Sequence, residues 1–343
     1  MSRECRLFLI LEMTRWVCIV VLIVIALPCA GQYDSAYIGS YDGMLIGRLL
    51  VSRKYTQMTF TNKQDDYRIR YSPNKTFSAG LGASYRFATI NLAFGVLKPD
   101  LTRGETRDLD LQLNNYGRRF VIDFILQLYK GFYLPDRSMA PAGDEFYVRP
   151  DLSASSIGGS FQYVLNHRKF SYRAVFQQTE VQKRSAGSFL LGMEMYVGRI
   201  KGDSAIVPSM MNKSEIDTDK MRYLEFGPNG GYAYTWVLGR VFLTASASAS
   251  LNATIKQFFD GNNVTTNVGV SPNTFLRGAA GYNTDRWSIN FFAISTGFHF
   301  PRHEERTVNV NSGQFRMNFV YRFKPSRRTK DALKIIDEVD KKL

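Results

Sequence analysis

Long apolar runs, cysteine and histidine are all scarce in this chain, and each scarcity removes a class of protein. The 343 residues contain one continuous apolar stretch, Trp16 to Cys29. No later window approaches the roughly 20 residues that a spanning helix requires. With a mean hydropathy of -0.20, the chain does not read as a helical membrane protein. Its three cysteines, Cys5, Cys18 and Cys29, lie in or before that stretch. The remainder has no thiol for a disulfide, a metal or a nucleophile, and must hold together by backbone pairing and packing. Histidine occurs only as His167, His299 and His303. None has a second histidine at metal spacing on a helix, His299 and His303 flanking Pro301 in an expected loop, so no metal and no cofactor is expected.

The apolar stretch follows Arg15 and ends at Pro28-Cys29-Ala30-Gly31-Gln32. A basic start, a short apolar centre and small residues before a polar continuation read as a secretory signal peptide covering residues 1–31. About a dozen apolar residues are short for an anchor helix. Met13, followed by Thr14 and Arg15, is an alternative start. The formal net charge is +14, of which three arginines and two glutamates in the leader supply one. Basic residues are scattered over turns such as Arg118-Arg119 and His167-Arg168-Lys169 rather than gathered in a stripe. That distribution suits a solvated surface near lipid or lipopolysaccharide phosphates and argues against nucleic acid.

What the chain has in abundance is alternation. Leu109, Leu111 and Leu113 form one face of a segment whose other face is Asp108, Asp110, Gln112 and Asn114. In the next segment Phe120, Ile122, Phe124, Leu126 and Leu128 oppose Arg119, Asp123 and Gln127. From Val241 to Ala253, Val, Leu and Ala interleave with Thr, Ser and Asn. The same pattern marks the segments starting at Phe77, Ile90, Phe161, Phe170, Phe189 and Phe315. A strand sends successive side chains to opposite faces, so a wall between lipid and a polar lumen reads this way. Around Phe291-Phe292 apolar residues occupy both faces, which predicts a bulge or a lumen-facing aromatic.

Short connections at Arg86 to Thr89, Tyr116 to Arg118, Asn166 to Lys169, Val237 to Arg240 and Asn283 to Arg286 largely alternate with longer ones at 97–106, 129–156, 178–187, 254–273 and 301–310. The alternation fails between the strands near Phe189 and Tyr223. An extra strand over Ala205 to Met210 restores it, although Pro208 argues against a central position. The expected fold is all-β, an antiparallel up-and-down transmembrane β-barrel of roughly 12 to 14 strands. It occupies residues 44–324, after a periplasmic segment at 32–43. In the tail, residues 325–343, Leu333, Ile336 and Val339 mark a short amphipathic periplasmic helix.

Charged residues on the polar parity form the candidate lumen set: Arg86, Asp108, Asp110, Arg119, Asp123, Arg173, Glu194, Arg316 and Arg322. Charges of both signs inside a barrel are costly unless paired or hydrated. They predict either a cross-linked polar plug or a narrow, weakly selective pore. Aromatics near strand ends, Tyr232, Tyr234, Trp236, Tyr321 and Phe323, suit the membrane boundary. No catalytic set emerges. Ser171 lies four residues after His167 but across a turn, and neither Gly80-x-Gly82 nor Gly227-x-x-Gly230-Gly231 opens a helix as a phosphate cradle would.

The order of a leader, Tyr71-Ser72-Pro73-Asn74, Leu81-Gly82-Ala83-Ser84-Tyr85-Arg86 and Gly230-Gly231-Tyr232-Ala233-Tyr234-Thr235 resembles that of an uncharacterised family of predicted outer-membrane β-barrel proteins of Gram-negative bacteria, catalogued as a domain of unknown function. The resemblance implies a barrel over nearly all of the chain after the leader and brings no catalytic residues. The function expected is a non-enzymatic pore, a small-solute or lipid pathway, or an envelope scaffold. The alternatives are a barrel enzyme acting on lipid or peptidoglycan and a secreted soluble β-sandwich or adhesin. Expected partners are outer-membrane lipid and lipopolysaccharide, the barrel-assembly machinery reading the aromatic end at Phe323, and a periplasmic partner at 325–343.

Overall fold

Alternating side chains make a wall only when each strand has a ladder partner, and here every pairing is antiparallel. The computed structural model describes residues 33–63, 66–85, 88–208, 218–261, 263–301 and 306–326. The leader, Arg86, His303 and the tail from residue 327, including its expected helix, lie outside the described residues. The strands are β1 (Ile38–Ser40), β2 (Leu45–Asn62), β3 (Tyr67–Tyr71), β4 (Ser78–Tyr85), β5 (Ala88–Gly95), β6 (Arg107–Tyr116), β7 (Phe120–Leu134), β8 (Tyr147–Val164), β9 (Glu180–Gln182), β10 (Ala186–Lys201), β11 (Thr218–Leu238), β12 (Val241–Asp260), β13 (Asn263–Asn283), β14 (Trp287–Pro301) and β15 (Arg306–Phe323).

One sheet in the order β5-β4-β2-β15-β14-β13-β12-β11-β10-β8-β7-β6 curls into the barrel, and β3 continues the β4 position along the far half of β2. On β12, Val241, Leu243 and Leu251 face outward and are exposed, while Phe242, Thr244, Ser246, Ser248, Ser250 and Asn252 are buried. Exposed Leu, Ile, Phe and Met rows recur on β5, β6, β10 and β15. Such rows are tolerable only against lipid, so this is a transmembrane barrel. The segments before β2 and after β15 emerge at the same end as the turns between β6 and β7, β11 and β12, and β13 and β14. That rim is called the turn end below, and the opposite rim the loop end.

At about 3.4 Å per residue, the 20 residues of β12 and 21 of β13 far exceed the roughly 10 that cross a bilayer. The wall therefore continues past the membrane at the loop end. This corrects three expected loops. The connection at 129–156 shrinks to the chain between Leu134 and Tyr147, and 254–273 is a hairpin between Asp260 and Asn263. At 301–310, strand resumes at Arg306. Runs such as Thr265-Thr266-Asn267 look like loop because a strand beyond the membrane has no lipid face to keep its alternation.

The expected wall strand at Phe170 to Phe176, and the loop at 178–187, are also corrected. Strand β8 pairs directly with β10, and the intervening chain, 165–185, turns inward from the turn end. Arg173–Gln177 makes one π-helical turn that ends at Gln178 with φ 59°, and β9 then pairs with β1. Phe170, Tyr172 and Phe176 are buried, but so are Ser171, Arg173 and Gln177. The sequence alternates in this segment although Arg173–Gln177 is not a strand and neither face meets lipid. The other expected strand, Ala205 to Met210, is absent over its described part, residues 205–208. The Arg149 guanidinium takes the carbonyls of Ala205 and Ser204 at 2.8 and 3.3 Å, and the Tyr71 hydroxyl takes that of Ile206 at 2.7 Å. Carbonyls that a ladder would use are held by side chains. Phe291-Phe292 forms no bulge. Its ladder is regular, with Phe291 outward and Phe292 inward.

The sheet path ends at β5 and β6, which share no hydrogen-bonded register. The seam between them is held by other means. Near the loop end Ser72 bridges Tyr133 of β7, and Asn74 Nδ2 donates to the carbonyls of Asp100 and Gly104. Thr102 donates through its hydroxyl and N–H to the Asp100 carboxylate, holding that exposed group below the usual carboxylate range. Lower down, Lys75 pairs with Asp108 at 2.6 Å and Lys54 with Asp110 at 3.6 Å. Gly131, at φ 90°, sits at the β7–β8 register shift, where a Cβ would strike the Glu105 carbonyl.

Two apolar clusters fill the ends of the barrel. At the loop end Met58, Tyr71, Phe132, Tyr196, Phe258, Phe298 and Phe300 meet. At the turn end Phe170, Tyr172, Val175 and Phe176 of the inward segment meet Tyr116, Phe242 and Phe292 of the wall. The Phe176 ring lies 5.0 Å from Tyr116, 5.7 Å from Tyr172 and 5.5 Å from Phe292. Phe176→Ala is therefore expected to cost about 3–5 kcal/mol. The lipid-facing Phe94, 74% exposed, should cost about 1 kcal/mol or less on the same change. Urea unfolding of both variants in detergent measures the difference.

Candidate functional site

The lumen is the candidate site, and parity decides which residues enter it. Between the two apolar clusters lies a polar layer supplied by inward positions of β2, β7, β8 and β10 to β15. Its hub is Glu194 on β10, 2% exposed. Oε1 accepts from Ser250 Oγ at 2.7 Å and from Asn252 Nδ2 and Asn273 Nδ2 at 2.8 Å, and Oε2 accepts from Asn229 Nδ2 at 3.2 Å. The same Asn273 amide also donates to Glu225 Oε1 at 2.8 Å, so it ties two buried carboxylates on adjacent strands together. Asp123 on β7 accepts from Arg277 of β13 across the lumen in a buried ion pair. Gln127 donates to Ser312 Oγ at 2.8 Å, joining β7 to β15 through the interior.

The inward segment is anchored by Glu180, 1% exposed. Its carboxylate accepts from Ser171 Oγ at 2.5 Å and Arg118 Nε at 2.9 Å, with Arg173 Nη1 at 3.4 Å. Arg48 and Asn290 of the wall hold the carbonyls of Gln177 and Val175, at 2.6 and 3.2 Å. Tyr172 and Ser246 share a hydroxyl hydrogen bond of 2.6 Å. These bonds reach the segment from three wall strands and the turn between β6 and β7, so it is built into the wall rather than laid against it.

Of the expected lumen set, Asp110, Asp123, Arg173, Glu194, Arg316 and Arg322 have side chains directed inward, although Arg173 comes from the inward segment rather than a strand. Asp108 instead serves the seam with Lys75. Arg119 is exposed on the turn between β6 and β7, and Arg86 lies outside the described residues. The boundary aromatics Tyr232, Trp236, Tyr321 and Phe323 are exposed on the outer face, with Tyr234 half-buried beside Trp236. Tyr232, Tyr234 and Trp236 border a shallow outer concavity of about 750 Å³ floored by Ala245, Ala247 and Gly278.

Several inward charges were not anticipated: Arg48, Lys54, Glu180, Glu225, Lys256 and Arg277. All but Glu180 occupy the polar parity of wall strands, so the signal that found Glu194 also contained them. Ser171 Oγ is engaged by Glu180, and His167 packs on the Tyr163 ring at 6.0 Å. Ser171 and His167, already set aside as a catalytic pair, share no hydrogen bond. Among the described residues no group of three His, Cys, Asp or Glu is arranged to hold a metal ion.

A family model described as Domain of unknown function (DUF4421) matches residues 32–323. Comparison with curated proteins returned no match. Among solved structures, the outer membrane protease OmpT from Escherichia coli is 8% identical, with 83% of this chain and 98% of that chain covered and a TM-score of 0.34. Neisserial surface protein A is 10% identical, with 82% and 98% covered and a TM-score of 0.24. The TodX monoaromatic hydrocarbon channel deltaS2 mutant is 9% identical, with 87% and 93% covered and a TM-score of 0.22.

The Asp123–Arg277 pair gives a direct test of the polar layer. Arg277→Met alone strands a buried carboxylate and is expected to cost about 3–5 kcal/mol. The double change Asp123→Leu with Arg277→Met removes both charges and should recover most of that loss. The two urea midpoints, compared with wild type, measure this; equal midpoints for the single and double variants would contradict it.

Proposed function

We propose, from the premise that the chain belongs to the family described as Domain of unknown function (DUF4421), that it is a non-enzymatic outer-membrane barrel shut at rest. It acts as an envelope scaffold or a gated pathway, not as an open diffusion pore. The observation that carries this reading is the filled interior: the inward segment with its aromatic cluster at one end, the polar layer across the middle, and the apolar cluster at the other. Water-filled porins keep a polar, hydrated lumen. An interior lined at both ends by buried aromatics has no such path.

In this proposal residues 1–31 are a cleaved leader, and the turn end faces the periplasm. Short turns and both segments flanking the barrel at that end support the orientation. The outward aromatics at Tyr321 and Phe323 suit insertion by barrel-assembly machinery, and the exposed rows face outer-membrane lipid and lipopolysaccharide. The tail at 325–343 is the proposed contact for a periplasmic partner.

Planar-bilayer recording tests the closed state. Wild-type protein should give no steady conductance. Replacing residues 166–184 by a Gly-Ser linker should give stable ohmic steps, and Glu180→Gln, which loosens the anchor, should give brief openings. Steady wild-type conductance equal to that of the linker variant would sink the proposal.

A further inference from the structure

Three guanidinium groups inside the barrel lack a counter-charge. Arg48 lies on β2, and Arg316 and Arg322 lie on the adjacent β15. Arg48 pairs in register with Val320, with Arg322 two residues from that partner and Arg316 four. Arg48 and Arg322 are 6% and 3% exposed. The other buried guanidinium groups among the described residues reach carboxylates: Arg277 at Asp123, Arg173 at Glu180 and Arg149 at Asp151. These three do not. The charged residues near Arg48 on the paired strand are Arg316 and Arg322, both of like sign. Asp285 acts on Arg322 only from beyond ion-pair distance.

Their acceptors are all neutral. Arg48 donates to Asn91 Oδ1 at 3.1 Å and Gln177 O at 2.6 Å. Arg316 donates to Gln314 Oε1 at 3.1 Å and lies 5.4 Å over the Phe292 ring. Arg322 donates to Thr284 O and Ser288 Oγ, each at 3.1 Å, and lies 4.0 Å over Tyr41. The Nε atoms of Arg316 and Arg322 are buried without an acceptor. A guanidinium offers five N–H donors, so donors remain to spare. Uncompensated buried charge is among the costliest arrangements a membrane-embedded wall can hold. The wall is also shaped around it. A Cβ at Gly82 would collide with Arg48 Cγ and Asn91 Oδ1, which explains a bare residue on β4 at that point. Asn91 belongs to β5, the strand at the open seam.

We propose that Arg48 and Arg322, two residues apart in register near the turn end, bind the phosphate group of an anionic ligand; Arg316, six residues from Arg322 on the same strand and donating to Gln314, lies too far along the barrel to share it. Planar guanidinium forks match phosphate oxygens, and two fixed positive charges suit a phosphate monoester better than a singly charged carboxylate. A free phosphate reaches the site from the turn end. A lipid phosphate reaches it through the seam, where β5 presents Ile90, Leu92 and Phe94 to the bilayer. The site stands apart from whether the barrel conducts.

The test is thermal unfolding of full-length protein in detergent, read by heat-modifiable gel mobility. Inorganic phosphate is compared with chloride at matched ionic strength, and phosphatidic acid with phosphatidylcholine in mixed micelles. Wild-type protein should unfold at higher temperature with a phosphate monoester probe. Arg48→Gln and Arg322→Gln should bind that probe about tenfold more weakly or worse, yet unfold at higher temperature than wild type in chloride because repulsion is relieved. Arg322→Lys keeps the charge and loses the fork, so it should lose affinity without that gain; it serves if a Gln variant does not fold. Arg119→Gln, on the exposed turn, should match wild type. Protection by inorganic phosphate identifies a free anion, and protection by phosphatidic acid alone a lipid headgroup; either supports the site. No protection by both probes, or equal protection of wild type and the Arg48 and Arg322 variants, overturns it.

Discussion

Twelve strands enclose more space than their own side chains fill. A barrel of about eight strands is closed by wall residues alone, and one of about sixteen holds a water channel. This barrel lies between, and its interior must be supplied. The chain does so by bringing residues 165–185 inside instead of making a short turn between β8 and β10, and by pairing β1 with β9 where that segment returns to the wall. Once Phe170, Tyr172 and Phe176 are committed to the lumen, the wall opposite must offer Phe242 and Phe292 inward, and the carbonyls of the π-helical turn require Arg48 and Asn290 as donors.

Charge inside the filled barrel follows from the same enclosure. With no bulk water, carboxylates need several donors and cations need partners. Glu194 collects four donors, Glu180 collects two hydrogen bonds and a second arginine, and Asp123 takes Arg277. These contacts cross the lumen or join it to the inward segment, so they set the shape of the polar layer as well as its charge. The wall is therefore stabilised as much by what spans its interior as by its ladders.

Parity made most of the wall legible in the sequence. Most of the wall strands overlap an expected alternating segment, and Glu194, Arg316 and Arg322 lie on the polar parity of strands that have a lipid face. Legibility failed wherever that face was missing. Phe170 to Phe176 alternates like a wall strand but is surrounded by protein, and Thr265 to Asn267 lost its alternation because water lies on one side. The mistaken strands at 170–176 and 205–210 are both surplus, which is why the expected range of 12 to 14 extends above the twelve wall strands. Arg277 and Glu225 sat in plain view on the polar parity. Their partners on other strands did not, since no local pattern tells which inward residues will face one another across a lumen.

The incomplete ladder between β5 and β6 is the feature least explained by filling. Backbone N–H and C=O groups left unpaired in hydrocarbon cost several kcal/mol each, and a long unpaired edge would ordinarily be selected against. Here the edge is flanked by devices that limit its movement: the Ser72–Tyr133 bridge and the Asn74 clamp near the loop end, and the Lys75–Asp108 pair below them. Toward the turn end Asn91 accepts from Arg48 of β2, on its own side of the seam, and the connection to β6 runs on only through the inward segment, where Arg48 donates to Gln177 O and Phe176 stacks on Tyr116. The seam is thus bridged directly near the loop end and only by way of the inward segment toward the turn end. Any separation of β5 from β6 would begin at the turn end, beside the uncompensated arginines, because there the cost of parting the strands is smallest.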